Sequence, residues 1–356
     1  MLKICSVIGA RPQFIKASPL SAVLRGKFEE IMIHTGQHYD HGMSQRFFDE
    51  LDIPEPEYNL GVGSGGHGAQ TAAMLKYLEE LYVKERPDAV LVYGDTNSTL
   101  AGALSAVKLH IPIAHVEAGL RSFNREMPEE INRLLTDHIS RWLFTPSESS
   151  NENLKREGIT DNVHIVGDIM LDSILKYSEK AHKSSSILVD QDIEKNEFYL
   201  ATVHRPENTD DKFQLKSIFH AFSELDKKVI LPLHPRTKRR MEEFSLKVSD
   251  NIKILEPVGY LDMLQLMQSS KSVLTDSGGV QKEAYYLRVP CVTLRKETEW
   301  TETVDAGWNT VANSDKEIIL SVAERSDEIR LLPHPDLYGS GNTATEIVSI
   351  LSSELS

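Results

Sequence analysis

Apolar residues along this chain fall into two alternating patterns. One is the short unbroken run, such as Ala-Val-Leu-Val-Tyr at 89–93; the other is a longer stretch in which they recur every three or four positions. Runs rich in β-branched residues and bounded by Gly, Pro or Asp suit strands buried on both faces, and the recurring stretches suit amphipathic helices. On this basis strands cover 2–8, 30–34, 88–93, 111–116, 142–145 and 163–166, and then 198–203, 228–233, 252–254, 271–275 and 291–294. Helices are predicted over 18–24, 43–51, 69–83, 99–108, 128–138, 170–183, 212–225, 260–268, 280–287 and 344–351. Strand and helix alternate in both halves, which implies an α/β protein of two Rossmann-like, doubly wound parallel-sheet domains facing a central cleft. Gly167-Asp168 is the expected crossover, giving domains 1–168 and 169–340.

The strand at 271–275 enters its helix through Thr275-Asp276-Ser277-Gly278-Gly279. A helix start offers unpaired N–H groups and the positive end of the dipole, and two glycines leave room for a phosphate. This is a candidate diphosphate seat. Glu283, one turn on, is placed to accept hydrogen bonds from two ribose hydroxyls, so the pair suggests a nucleoside diphosphate. An ordinary capped turn would carry the same letters.

Other strand ends add candidates. The first strand closes in Gly9-Ala10-Arg11-Pro12, placing Arg11 and Lys16 beside a ligand site or simply in solvent. Asp95 and Glu117 follow successive parallel strands and can meet across a ligand. A third acid comes from Pro128-Glu129-Glu130, where Pro128 suits the first helical position. The run His234-Pro235-Arg236-Thr237-Lys238-Arg239-Arg240 follows a strand directly and either faces phosphates or forms a solvated surface. Gly61-Val-Gly63-Ser-Gly65-Gly66 matches the dinucleotide fingerprint but lacks the strand-to-helix context that gives it weight, so a glycine loop capping the next helix is expected instead.

Composition narrows the partners. The net charge of −14 over 356 residues argues against nucleic acid and anionic membranes, and leaves room for a small anion where cations converge. Cys5 and Cys291 both lie in apolar runs, which fits a reducing compartment without disulfides. With no signal-peptide pattern and no apolar stretch of spanning length, a cytoplasmic protein is expected. No CxxC or HExxH metal motif occurs.

Taken together, Gly9-Ala10-Arg11-Pro12 with Lys16, Gly94-Asp95-Thr96, His115-Val116-Glu117-Ala118-Gly119-Leu120-Arg121, Pro128-Glu129-Glu130-Ile131-Asn132-Arg133 and Thr275-Asp276-Ser277-Gly278-Gly279 resemble the non-hydrolysing UDP-N-acetylglucosamine 2-epimerases over nearly the whole chain. The resemblance implies the GT-B architecture, with 341–356 as a terminal helix crossing back to the first domain. It implies interconversion of UDP-N-acetylglucosamine and UDP-N-acetylmannosamine, no nicotinamide or other cofactor, and a homodimer. It places Asp95, Glu117 and Glu129 in acid–base roles and implicates His204 in catalysis. By the same resemblance Arg11, His234, Ser277, Gly278, Gly279 and Glu283 hold UDP. Two departures stand out. Gln37-His38-Tyr39 replaces a Gln-His-Arg associated with an activating second UDP-sugar site, and Thr298-Glu299-Trp300-Thr301-Glu302 replaces Thr-Glu-Arg-Pro-Glu. The latter, with Ala10 and Gln13, is more similar to the branch acting on UDP-2,3-diacetamido-2,3-dideoxyglucuronate.

Inverting C2 of an acetamido sugar means removing a hydrogen that is not beside a carbonyl. Without an NAD site the expected route is anti elimination of UDP to a 2-acetamidoglycal, followed by re-addition. Cations and helix N–H groups would stabilise the departing diphosphate, and two carboxylates would handle the protons. Competing readings are a retaining glycosyltransferase, a hydrolysing epimerase and a nucleotide-sugar sensor.

Overall fold

The structure, a computed structural model, describes residues 1–37 and 50–355. The helix expected over 43–51 falls, but for its last two residues, outside the described residues, as do His38 and Tyr39. The chain divides into two compact units, Met1–Lys176 with Tyr338–Ser356, and Tyr177–Leu337.

In the first unit the strands are β1 (Lys3–Ile8), β2 (Glu29–His34), β3 (Tyr58–Asn59), β4 (Ala89–Tyr93), β5 (Ile113–Val116), β6 (Trp142–Thr145) and β7 (Val163–Ile165). They pair in the order β3-β2-β1-β4-β5-β6-β7, parallel throughout. Continuous apolar runs were to be expected, because β4, β5 and β6 are buried along their whole length. On one side Cys5, Val7, Ile31, Ile33, Val90 and Val92 pack with Met74, Leu78 and Tyr82 of the helix His67–Glu85. The order reverses between β1 and β4, so the loops after those two strands flank the switch point where such sheets bind ligands.

The first helix spans Arg11–Leu24, seven residues earlier than predicted. Its two prolines hid the start. Pro12 sits in the first turn, where no N–H is needed. Pro19 lies inside and withdraws the donor due to the Ile15 carbonyl; that carbonyl accepts instead from Ser173 Oγ at 2.8 Å. The last helix, Thr343–Glu354, packs against this one. The Asp172 carboxylate caps it, accepting from Thr343 N at 3.3 Å and Ala344 N at 2.9 Å.

The second unit repeats the plan with β8 (Phe198–Thr202), β9 (Lys228–Pro232), β10 (Ile252–Leu255), β11 (Val273–Thr275), β12 (Cys291–Thr293) and β13 (Asn309–Val311). The order is β10-β9-β8-β11-β12-β13, again parallel. Tyr199, Ala201 and Leu231 fill one face with Phe219 and Phe222, and Leu200, Ile230, Val273 and Cys291 fill the other. The switch point lies between β8 and β11, so Val203-His204-Arg205 and Asp276-Ser277-Gly278 flank it.

Some elements went unpredicted. β3 and β13 are two and three residues long, too short for a pattern. The helices Glu148–Arg156 and Lys316–Glu324 were also unpredicted. The glycine-rich segment at 61–66 does follow a strand, β3 at the sheet edge, and ends at Gly66, the cap of His67–Glu85. The basic run forms the helix Pro235–Glu243. Its cations Arg236 and Arg240 pair with Asp210, Lys238 with Glu256 at 3.5 Å, and Arg239 with Glu243 at 3.6 Å. Those neighbours explain the run as a paired surface.

No helix among the described residues is long and apolar enough to cross a membrane. Cys5 and Cys291 are buried and unbridged, and burial pushes each thiol up to about 12. Neither should react with a thiol reagent in the native protein at mildly alkaline pH, and both should react in denaturant. Colorimetric thiol titration checks this, and rapid native labelling of either would contradict the packing.

Candidate active site

At the switch point of the first unit, Gln13 joins the two loops that flank it. Its Oε1 accepts from Gly9 N at 2.8 Å and Ala10 N at 3.0 Å, and its Nε2 donates to the Tyr93 carbonyl at 2.8 Å. Gly94 follows at φ 62°, a left-handed conformation open to glycine at little cost. A Cβ there would lie 3.3 Å from Glu117 Oε2 and 3.6 Å from Lys16 Nζ, so these two side chains close over the glycine. Lys16 and Glu117 form an ion pair shielded from solvent. Glu117 itself has φ 70°, a strained backbone for a residue with a Cβ and one that recurs at functional sites.

Asp95, the residue after Gly94, is ion-paired with Arg133 of the helix Pro128–Ile139. Asn132 of the same helix donates to the Asp95 carbonyl at 2.9 Å. Arg133 also pairs with Glu130 at 3.1 Å. Burial disfavours the Arg133 charge, but Asp95, Glu130 and Glu117 together outweigh it and raise its pKa. Lys16, Asp95, Glu117, Arg133 and Glu130 thus form one alternating cluster around Gly94. Of the two adjacent acids, Glu130 is buried and accepts from Ser122 N at 2.9 Å and Phe123 N at 3.1 Å. Glu129 is exposed in the first helical turn, and Arg11 is exposed at the start of its helix.

A buried layer supports the cluster. His115, fully buried in β5, places Nδ1 2.7 Å from Asp137 Oδ1 and Nε2 2.7 Å from the Gly94 carbonyl. Asp137 Oδ2 also receives Arg121 Nη1 at 2.7 Å and Gly119 N at 3.2 Å. Burial alone would push the Asp137 carboxyl up, but His115 and Arg121 outweigh it and hold the carboxyl below the ordinary aspartate range. Sequence reasoning gave no role to Gln13, His115, Arg133 or Asp137. The signal for His115 was present: one polar ring within an otherwise apolar run.

In the second unit, Asp276 is the organiser. Fully buried, its carboxylate accepts from His204 N at 3.0 Å, Arg205 N at 2.9 Å and Asn208 Nδ2 at 3.0 Å. This ties the loop after β8 to the loop after β11. His204 and His234 are brought together with ring centroids 5.7 Å apart; His234 caps its helix, Nδ1 accepting from Arg236 N at 3.2 Å. The helix Gly278–Tyr286 begins immediately after Ser277, with Gly279 exposed in its first turn. Glu283 lies on the same helix and is buried.

Residues 22–352 match the model of the family described as UDP-N-acetylglucosamine 2-epimerase. The chain belongs to this family. It is an epimerase, and the two parallel α/β units are the fold its motifs led one to expect. A relative described as a UDP-N-acetylglucosamine 2-epimerase homolog, from Methanococcus maripaludis, is 55% identical, covering 98% of this chain and 99% of that one. The UDP-2,3-diacetamido-2,3-dideoxy-D-glucuronate 2-epimerase of Pseudomonas aeruginosa is 48% identical, with 99% of both chains covered. The crystal structure of the Methanocaldococcus jannaschii UDP-GlcNAc 2-epimerase, in complex with UDP-GlcNAc and UDP, superposes with a TM-score of 0.89 at 45% identity, covering 99% of this chain and 100% of that one.

Proposed function

We propose that this epimerase inverts C2 of a UDP-N-acetylhexosamine, converting UDP-N-acetylglucosamine to UDP-N-acetylmannosamine by anti elimination and re-addition. In the first step the bond from C1 to the diphosphate oxygen breaks and UDP leaves with the electron pair. The C2 proton passes to a carboxylate, and a C1–C2 double bond forms. In the second, a proton is delivered to the opposite face of C2 and the diphosphate oxygen attacks C1. Ser277, Gly278 and Gly279, with His234 and Arg11, stabilise the leaving diphosphate, and Glu283 takes the ribose. Asp95 and Glu117 exchange the protons, with Glu129 adjusting their ionisation and His204 assisting.

What supports this reading most is the pairing of Asp95 with Arg133 and of Glu117 with Lys16 around a single glycine. Two acids so placed each have a fixed cation to balance charge as protons come and go. The same chemistry on UDP-2,3-diacetamido-2,3-dideoxyglucuronate is the second reading, favoured by the Pseudomonas relative and by Trp300 in its motif.

Incubation of the protein with each UDP-sugar in deuterated water, followed by proton NMR, tests both. The expected result is the C2 epimer carrying deuterium at C2, with the better substrate deciding between the two sugars. Release of free sugar would point to a hydrolysing enzyme. Both sugars unchanged without an acceptor would defeat the epimerase assignment.

A further inference from the structure

Trp300 is 5% exposed and sits against the start of the helix Gly278–Tyr286. Its indole Nε1 donates to the Gly278 carbonyl at 2.9 Å, in a buried hydrogen bond. The ring is itself held on several sides. Lys282 Nζ lies 4.0 Å from its centroid, a cation–π contact by a buried lysine. Trp300 N donates to Thr298 Oγ1 at 3.2 Å, and Thr298 Oγ1 donates to Gln281 Oε1 at 2.6 Å. The Trp300 carbonyl accepts from Thr303 Oγ1 at 2.7 Å, and Asn309 Nδ2 reaches both Thr303 Oγ1 and Gln281 Oε1 at 3.2 Å. A Cβ on Gly278 would run into Glu299 Oε1 and lie 3.6 Å from Trp300 Nε1, so the segment is pressed onto the glycine.

We propose that Trp300 is a positioning residue for the diphosphate seat, acting through the Gly278–Gly279 peptide. This rests on the reading that the seat holds the diphosphate of a UDP-sugar. The Gly278 carbonyl and the Gly279 N–H belong to one planar trans peptide and point in opposite directions. Fixing the carbonyl from behind with the indole N–H therefore fixes the direction of the Gly279 N–H in front. That N–H lies in the first turn, where helical geometry provides it no carbonyl partner. Two adjacent glycines are conformationally free, and a donor that must meet a phosphate oxygen gains from being aimed in advance. The hydrogen-bonded segment from Thr298 to Thr303 supplies that restraint from the carbonyl side of the peptide.

The test compares UDP, which reports on the seat, with uridine, which lacks phosphates. Trp300→Phe keeps a ring over Lys282 and removes the N–H. Titration calorimetry should show UDP binding weakened about five- to ten-fold, the size of one lost buried hydrogen bond. Ligand-detected NMR should show uridine binding unchanged. Replacement of the Trp300 indole by isosteric benzothiophene, which removes only the N–H, should give the same selective loss even where phenylalanine does not fold. Equal affinities for UDP in wild type and variants, or parallel weakening of UDP and uridine, would overturn the role of Trp300. A wild-type protein that binds uridine and UDP equally would overturn the diphosphate seat itself, and with it the reading on which the role depends.

Discussion

Asp95→Asn and Glu117→Gln should each lower turnover by about 10²–10⁴-fold while leaving UDP affinity within a factor of about two. The amides preserve shape and most hydrogen bonding, so Asp95 stays near Arg133 and Glu117 near Lys16, but neither can carry a proton from carbon. UDP affinity should hold because the proposed seat, Ser277-Gly278-Gly279, lies in the second unit and both acids lie in the first. The two variants should also differ from each other. If one acid serves each face of C2, one variant should still wash deuterium into the C2 position of one epimer, and the other variant into that of its partner. Steady-state kinetics with both epimers, together with NMR-detected exchange, reads all three quantities. Turnover within ten-fold of wild type in either variant would remove that residue from the acid–base role.

Asp137→Ala should destabilise the protein by about 3–5 kcal/mol, the usual result of deleting one partner from a buried charged group. Its carboxylate is fully shielded and joins His115, Arg121 and the Gly119 amide. Its removal leaves the Arg121 guanidinium, also fully shielded, with Glu157 as its remaining ion pair. The pH dependence has a definite sign. The folded-state pKa of Asp137 is depressed below 3.8, so its contribution is complete above about pH 3.8 and is lost as pH falls through the lower folded value. The stability gap between wild type and variant should therefore be constant around neutrality and narrow in strong acid. Urea unfolding followed by circular dichroism measures it. A gap below 1 kcal/mol at neutral pH would mean that the network contributes no more than a surface pair. Turnover should fall in this variant too, because His115 links Asp137 to the Gly94 carbonyl and hence to the turn that carries Asp95.

The eleven predicted strands, most of them largely buried, all lie within two residues of observed ones at either end. Residues 142–145 match β6 to the residue, and 198–203 and 228–233 match β8 and β9 to within one. Such strands need unbroken apolar residues, so the letters reveal them directly. The start of Arg11–Leu24 was less legible because a proline lies inside that helix, and the carbonyl freed by Pro19 is satisfied by Ser173, far along the chain.

The candidate site divides in the same way. Asp95, Glu117 and the Ser277-Gly278-Gly279 turn became candidates because each follows a strand end, and a parallel sheet gathers its strand ends along one edge, whereas His204 came only from the family resemblance. The residues that hold them were given no such role. Gln13, His115, Arg133, Asp137 and Asp276 each make at least one bond to a partner 18 to 86 residues away, and no local pattern encodes such a partner. Trp300 is the sharpest case. In the sequence it was only part of a motif departure, and its 2.9 Å bond to Gly278 gives it a task.

By itself the sequence determined the alternation of strand and helix, which follows from short-range periodicity, and the family, which follows from the resemblance of its motifs; residues at strand ends marked the loops proposed to carry chemistry. The tertiary structure decided which acids are charge-paired, which of Glu129 and Glu130 is buried, and what holds the glycine turn of the seat. Those outcomes depend on side chains that meet only after the sheets have formed. Burial then makes an unpaired charge costly enough to select one arrangement.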